Sequence, residues 1–276
     1  MKKEEVKRGW RIILTMLYGL LSAAISLGIP LGIGLVIFGR SGMNETVVDV
    51  TNMLTGIIGT PLMILLTKRY YQKHYSTSLE TFDFFERGSI RKIGFGFFLG
   101  VLMMIVLFGI VCLLGASVEY KGFDIKWFST ISGILTFIGM AVVEECIFRG
   151  LLPEAFSTFG NKAALIIPAG LFVAMHMDLW SNPDILRMID LFVVGILFMT
   201  ILKQTKSLVF VSAFHAANNI TVMILGIEMD DGILKTSYNQ QLFGLSADQL
   251  LAMCSISISL AVIIGLYFRK KHIRIV

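Results

Sequence analysis

Three short stretches place polar side chains where the surrounding sequence is apolar: "VVEECIFRG" with Glu144, Glu145 and Arg149, "FVAMH" with Phe172 and His176, and "SAFHAANN" with His215, Asn218 and Asn219. Together these residue types suit peptide hydrolysis. A carboxylate and a neutral imidazole around one water act as general bases and deliver hydroxide to a carbonyl. A second imidazole and an amide N–H hydrogen-bond the oxyanion that results.

Spacing divides the first stretch. Glu145 and Arg149 are four residues apart, so they share a helix face, with the carboxylate N-terminal to the cation in the better orientation. They account for each other as a local ion pair. Glu144 lies about 100° round the helix from Glu145 and is left without a local partner. Phe172 with His176, and His215 with Asn219, are also four apart; three residues separate His215 from Asn218, so helical geometry admits either asparagine on the histidine's face.

The elements that must position these groups are membrane spans. Of the 276 residues, 55% are hydrophobic and only 16% charged, too apolar for a soluble domain of this size. Runs long enough to cross roughly 30 Å of hydrocarbon predict eight helices, near 12–38, 48–67, 93–115, 127–152, 162–178, 185–202, 207–226 and 249–268. The expected fold is an all-α integral membrane protein, a single polytopic domain over 1–276 with both termini cytoplasmic. Basic residues support that topology: eighteen of the 24 Lys and Arg fall on the inner side, against Arg40, Lys121, Lys126, Arg187 and Lys235 outside, with Arg149 inside a span. The outer segment "GIEMDDG" is acidic. The connection 68–92 alternates aromatics with charges and reads as an interfacial helix. Gly96 and Gly100 stand at the GxxxG spacing that suits close helix packing.

A charged residue at the centre of a span costs on the order of 2.5 to 3.5 kcal/mol on insertion scales, and such groups mark functional sites by default. Counting from the inner helix ends at 1.5 Å per residue, Glu144 and His176 lie about 20 Å deep and His215 about 14 Å. These depths let the three groups converge in one cavity, expected to be reached from the cytoplasmic side.

The three motifs EExxxR, FxxxH and HxxxN, in this order on separate spans, resemble those of the CPBP family of intramembrane proteases, also called the Abi or CAAX amino-terminal protease family. The resemblance covers roughly residues 127–226, the expected catalytic core. From the family's prenyl-protein CAAX endopeptidase it implies that Glu144 and His176 activate water and that His215 and Asn219 form the oxyanion site, with Glu145, Arg149 and Phe172 in support. The pattern selects Asn219 over Asn218. It implies as partners the lipid bilayer and a peptide or lipidated-protein substrate, with no nucleic acid, and as location the cell membrane, expected to be a bacterial plasma membrane. Residue types alone admit a His/His/Glu zinc site, but no HExxH is present, so catalysis without a metal cofactor is favoured. The family also includes proteins resembling bacteriocin self-immunity factors. A non-enzymatic immunity or membrane scaffold role, in which the buried polar set only joins helices, is therefore the alternative.

Other polar or reactive residues have plainer explanations. Cys146 reads as a small apolar residue of a packed helix, and Ser212, three residues before His215, as a packing residue in the absence of a GxSx pattern. Arg187 and Asp190, three apart near the outer end of a span, read as a local interface pair. Cys112, Cys146 and Cys254 suggest no disulfide framework. A transporter would show inverted repeats, and none is visible.

Overall fold

A computed structural model describes residues 2–39, 44–74, 81–122, 125–176, 184–227, 232–237 and 246–273. Within them the chain forms eight helical segments: α1 Lys2–Phe38, α2 Glu45–His74, α3 Ser89–Leu113, α4 Trp127–Phe159, α5 Ala163–His176, α6 Ile185–Thr205, α7 Leu208–Ile224 and α8 Ala247–Ile273. Six are long and apolar enough to cross a membrane; α5 and α7 are shorter apolar helices. The eight match the eight expected spans. Arg40 and the acidic run 228–231 lie outside the described residues.

The bundle faces lipid with its apolar side chains. On α1, Leu14, Leu17 and Leu21 are exposed, as are Phe98, Leu102 and Ile105 on α3. In a bilayer such a surface needs no further burial. Helix α7 is the centre, with fourteen of its 17 residues buried against α3, α4 and α6. It starts abruptly because Ser207 caps it, the Oγ accepting from Phe210 N–H at 3.1 Å. Lys206 just before it takes a left-handed conformation (φ 53°) that ends α6 and reverses the chain within two residues.

Gly96 and Gly100 are what allow α3 to approach α7. A Cβ at Gly96 would sit 2.5 Å from the Phe210 carbonyl oxygen. One at Gly100 would sit 2.5 Å from that of Phe214 and 2.7 Å from Ala217 Cβ. The backbones meet directly, as small-residue packing in membranes requires.

One expectation is corrected. The described residues 81–88 run as turns rather than as an interfacial helix. Asp83 is drawn into the bundle, fully buried, and its carboxylate accepts from Lys92 Nζ at 2.6 Å, Ser207 Oγ at 2.5 Å and Val209 N–H at 3.1 Å. Satisfying a buried carboxylate with three donors outweighs laying this segment on the membrane surface. The all-α bundle also carries a short two-stranded ribbon. β1 Ser117–Tyr120 pairs antiparallel with β2 Leu234–Ser237, placing Glu119 opposite Lys235 and tying the α3–α4 connection to the α7–α8 connection. Four-residue segments so distant in sequence leave no periodic signal.

Helix α4 runs past its expected end at 152, to Phe159. A π-helical turn over Cys146–Leu151 immediately precedes Pro153. The widened turn accommodates a proline whose ring would clash with the carbonyl four residues earlier in a regular helix.

Candidate active site

Glu144, Phe172, His176, His215, Asn218 and Asn219 line one cavity between α4, α5 and α7, with Glu145 and Arg149 buried beside it. Glu144 and Glu145 end the regular part of α4, and the π-helical turn begins at the next residue. Such turns recur at functional sites because they re-aim side chains. Glu145 is fully buried, and its Oε1 receives Arg149 Nη1 at 3.1 Å. The same oxygen lies 2.8 Å from His215 Nδ1 on α7. A carboxylate oxygen that already binds a guanidinium acts as an acceptor, so Nδ1 carries the proton and Nε2 is the ring nitrogen turned to the cavity. Sequence spacing assigned Glu145 only its local cation; the cross-helix bond to His215 depends on the α4–α7 packing.

Glu144 faces the other way, towards both histidines. Its Oε1 lies 3.5 Å from His176 Nε2 and its Oε2 lies 3.7 Å from His215 Nε2. His176 is the last residue of α5, and its Nδ1 sits 2.8 Å from the Phe172 carbonyl oxygen. A carbonyl only accepts, so Nδ1 holds a proton and Nε2 is the ring nitrogen turned to Glu144 and the cavity. Glu144 Oε1 and His176 Nε2 thus stand together at one corner of the cavity. The Glu144 side chain keeps 15% exposure and that of His176 31%, against zero for Glu145, which separates groups open to the cavity from the group sealed behind them.

Phe172 joins the set from beneath. Its ring centroid is 4.2 Å from that of His176 and 6.4 Å from that of His215, and the Arg149 guanidinium carbon lies 4.6 Å from its centre. Phe198 of α6 stacks on the other side, 4.7 Å from His215 and 5.0 Å from Arg149. The guanidinium, taken out of water, lies between two ring faces. Phe198 carried no signal in the sequence, since an aromatic in an apolar span looks like any other.

Two cavities meet at this point. One of about 330 Å³ is lined by Glu144, His176, His215, Asn218 and Asn219, together with Arg187 and Asp190 at its far end. The other, about 410 Å³ and almost wholly apolar, runs between α1, α4 and α5 past Leu20, Ala23, Ile147, Leu171 and Met175. Glu144, His176 and Met140 line both, so the acid–histidine pair forms the wall between a polar and an apolar chamber.

The remaining candidates separate cleanly. In the amide orientation that matches donors to acceptors, Asn218 donates to the Phe214 carbonyl at 3.3 Å and to the Gly100 carbonyl of α3 at 3.0 Å. Asn218 is thereby a tie between helices, and it lines the cavity together with Asn219. Cys146 is fully buried behind the site, and Ser212 makes no hydrogen bond to His215. Arg187 and Asp190 pair at 3.2 Å as their spacing suggests, yet they also border the polar cavity. Their position inside an apolar span was the signal that spacing alone undervalued. Among the described residues no group of three His, Cys, Asp or Glu side chains is arranged to hold a metal ion.

Comparison with known proteins gives a family for this region. Residues 126–221, which hold all three motifs, match the family model described as Rce1-like, type II CAAX prenyl endopeptidase Rce1-like. The resemblance to CAAX proteases carried by the motifs is thus matched by a family model over the segment that builds the site. A comparison with curated proteins finds no match.

Proposed function

We propose, from the Rce1-like match over residues 126–221, that this chain is a CAAX-type intramembrane endopeptidase. In this reading it hydrolyses a peptide bond of a membrane-associated peptide or lipidated protein at the junction of the two cavities. The observation that carries the reading is Glu144, whose two carboxylate oxygens lie 3.5 Å from His176 Nε2 and 3.7 Å from His215 Nε2 in the wall between a polar and an apolar chamber.

The chemistry follows from the proton positions. Glu144, with His176 beside it, takes a proton from a water as the water oxygen bonds to the carbonyl carbon. The carbonyl π electrons move to oxygen, and the resulting oxyanion accepts from His215 Nε2–H and the Asn219 amide. When the C–N bond breaks, the proton held by Glu144 or His176 passes to the leaving amine. General acid–base help of this kind is worth roughly 10² to 10⁴ in rate, and a preorganised oxyanion donor about 10² to 10³.

Charge balance supports the assignment. Arg149 compensates Glu145 at 3.1 Å, and the two histidines flank Glu144. A site within a bilayer favours such compensation. The apolar chamber beside Glu144 suits a lipid chain or large apolar side chain next to the scissile bond.

The test is cleavage of candidate membrane peptides by purified protein in liposomes, comparing wild type with Glu144→Gln and His176→Ala, with and without chelator. Loss of cleavage in both variants and indifference to chelator support the reading. Cleavage that survives both substitutions contradicts it, and loss with chelator alone points to a metal.

One observation favours the non-enzymatic alternative. The Glu145–Arg149–His215 cluster already joins α4 to α7 without any chemistry. Glu144 meets that cluster at His215, 3.7 Å from its Nε2, so full biological protection by a folded Glu144→Gln variant would assign the polar set to scaffolding.

A further inference from the structure

The polar cavity is not centred on the bundle. From the level of Glu144 and His215, the lining residues run towards one set of helix ends. Phe137 and Met140 precede Glu144 on α4, Val222 follows His215 on α7, Arg187 lies in the first turn of α6, and Leu251 and Ser255 lie near the start of α8. These are the ends at which α4, α6 and α8 begin and α5 and α7 finish.

On the other side of Glu144 the polar cavity ends. A groove of about 690 Å³ there, lined by Ile201, Gln204, Phe214 and Arg269, includes none of Glu144, His176 and His215. The apolar chamber that runs past Ile147 and Leu152 has no polar lining beyond Glu144 and His176. Leu151, Leu208 and Val211 are fully buried there, and Ile201 and Leu202 nearly so. The Asp83 cluster pins the turn before α3 to the N-terminus of α7. This half is also the basic one. Lys68, Arg69, Lys73, Lys92, Lys162, Lys203 and Lys206 stand at its helix ends, which the positive-inside rule places in the cytoplasm.

From these two asymmetries we infer that the catalytic cavity opens on the extracytoplasmic side, so that its substrate is a peptide segment presented from outside the cytoplasm. This reverses the cytoplasmic access expected from depth counting. Depth gave the distance of Glu144 from the inner ends but not towards which ends the polar cavity runs. The inference rests on the proposed hydrolysis for its substrate, but the direction of opening does not depend on catalysis.

Thiol accessibility tests it directly. In a background carrying Cys112→Ala and Cys254→Ala, with Cys146 left buried, Ser255→Cys and Val222→Cys would each report on the cavity. Lys73→Cys, exposed at the end of α2, would mark the basic side. A membrane-impermeant maleimide should label both cavity cysteines in right-side-out vesicles and at least tenfold more slowly in inside-out vesicles, with Lys73→Cys giving the reverse. Cavity labelling from the Lys73→Cys side, from both sides or from neither overturns the inference, as does Lys73→Cys labelling in right-side-out vesicles. Adding Glu144→Gln should leave the pattern unchanged, so a failure of access and a failure of catalysis are read separately.

Discussion

His215 Nδ1 and Glu145 Oε1 stand 2.8 Å apart, and that same oxygen receives Arg149 at 3.1 Å. One carboxylate thereby serves a cation on its own helix and a histidine on another, fixing which face of the imidazole reaches the cavity.

Glu145→Gln keeps the shape but removes the carboxylate that holds the His215 Nδ1 proton. The expected result is a fall in kcat of about 10² or more with a smaller change in KM, because the group acts on the developing oxyanion through His215. Steady-state cleavage kinetics in liposomes would check this split.

Removing one partner of the buried Glu145–Arg149 pair leaves the other charge uncompensated. Arg149→Met alone is expected to cost about 3 to 5 kcal/mol, and the double change Glu145→Leu with Arg149→Met to recover much of that without restoring cleavage. Thermal unfolding in detergent, read for both single variants and the double, measures the coupling.

The two neighbouring asparagines should behave oppositely. Asn219→Ala is expected to lower kcat roughly 10² to 10³-fold with little change in stability. Asn218→Ala should instead weaken the α3–α7 contact by about 1 to 3 kcal/mol, since the Gly100 carbonyl loses its donor. Paired activity and unfolding measurements separate the roles.

Gly100→Val should destabilise the bundle by about 1 to 3 kcal/mol or more, because its Cβ would meet the Phe214 carbonyl and Ala217 Cβ inside contact distance. The matching change at Gly109, where a Cβ meets nothing within 4 Å, should be near neutral. Comparing the two unfolding midpoints isolates the backbone approach from helix propensity.

Much of this architecture was legible because a bilayer demands long apolar runs, and a charge inside such a run stands out. The eight spans, the Glu145–Arg149 pair and the glycine contact at Gly96 and Gly100 all follow from local spacing. What spacing could not reveal depends on distant packing. The second partner of Glu145, the Asp83 staple and the β1–β2 ribbon join residues 70 to 126 positions apart. Phe198 and the pair Arg187–Asp190 were visible as residues but not as cavity walls, because their neighbours come from other helices.

Glu144 bears the central claim, and one comparison tests it most directly: cleavage of a membrane peptide by wild type and by Glu144→Gln, at equal folded amounts in liposomes. The amide keeps size and hydrogen bonding but cannot take the proton of water, so kcat should fall at least 10²-fold while the unfolding temperature stays close to wild type. Wild-type turnover by the folded Glu144→Gln protein would contradict the account.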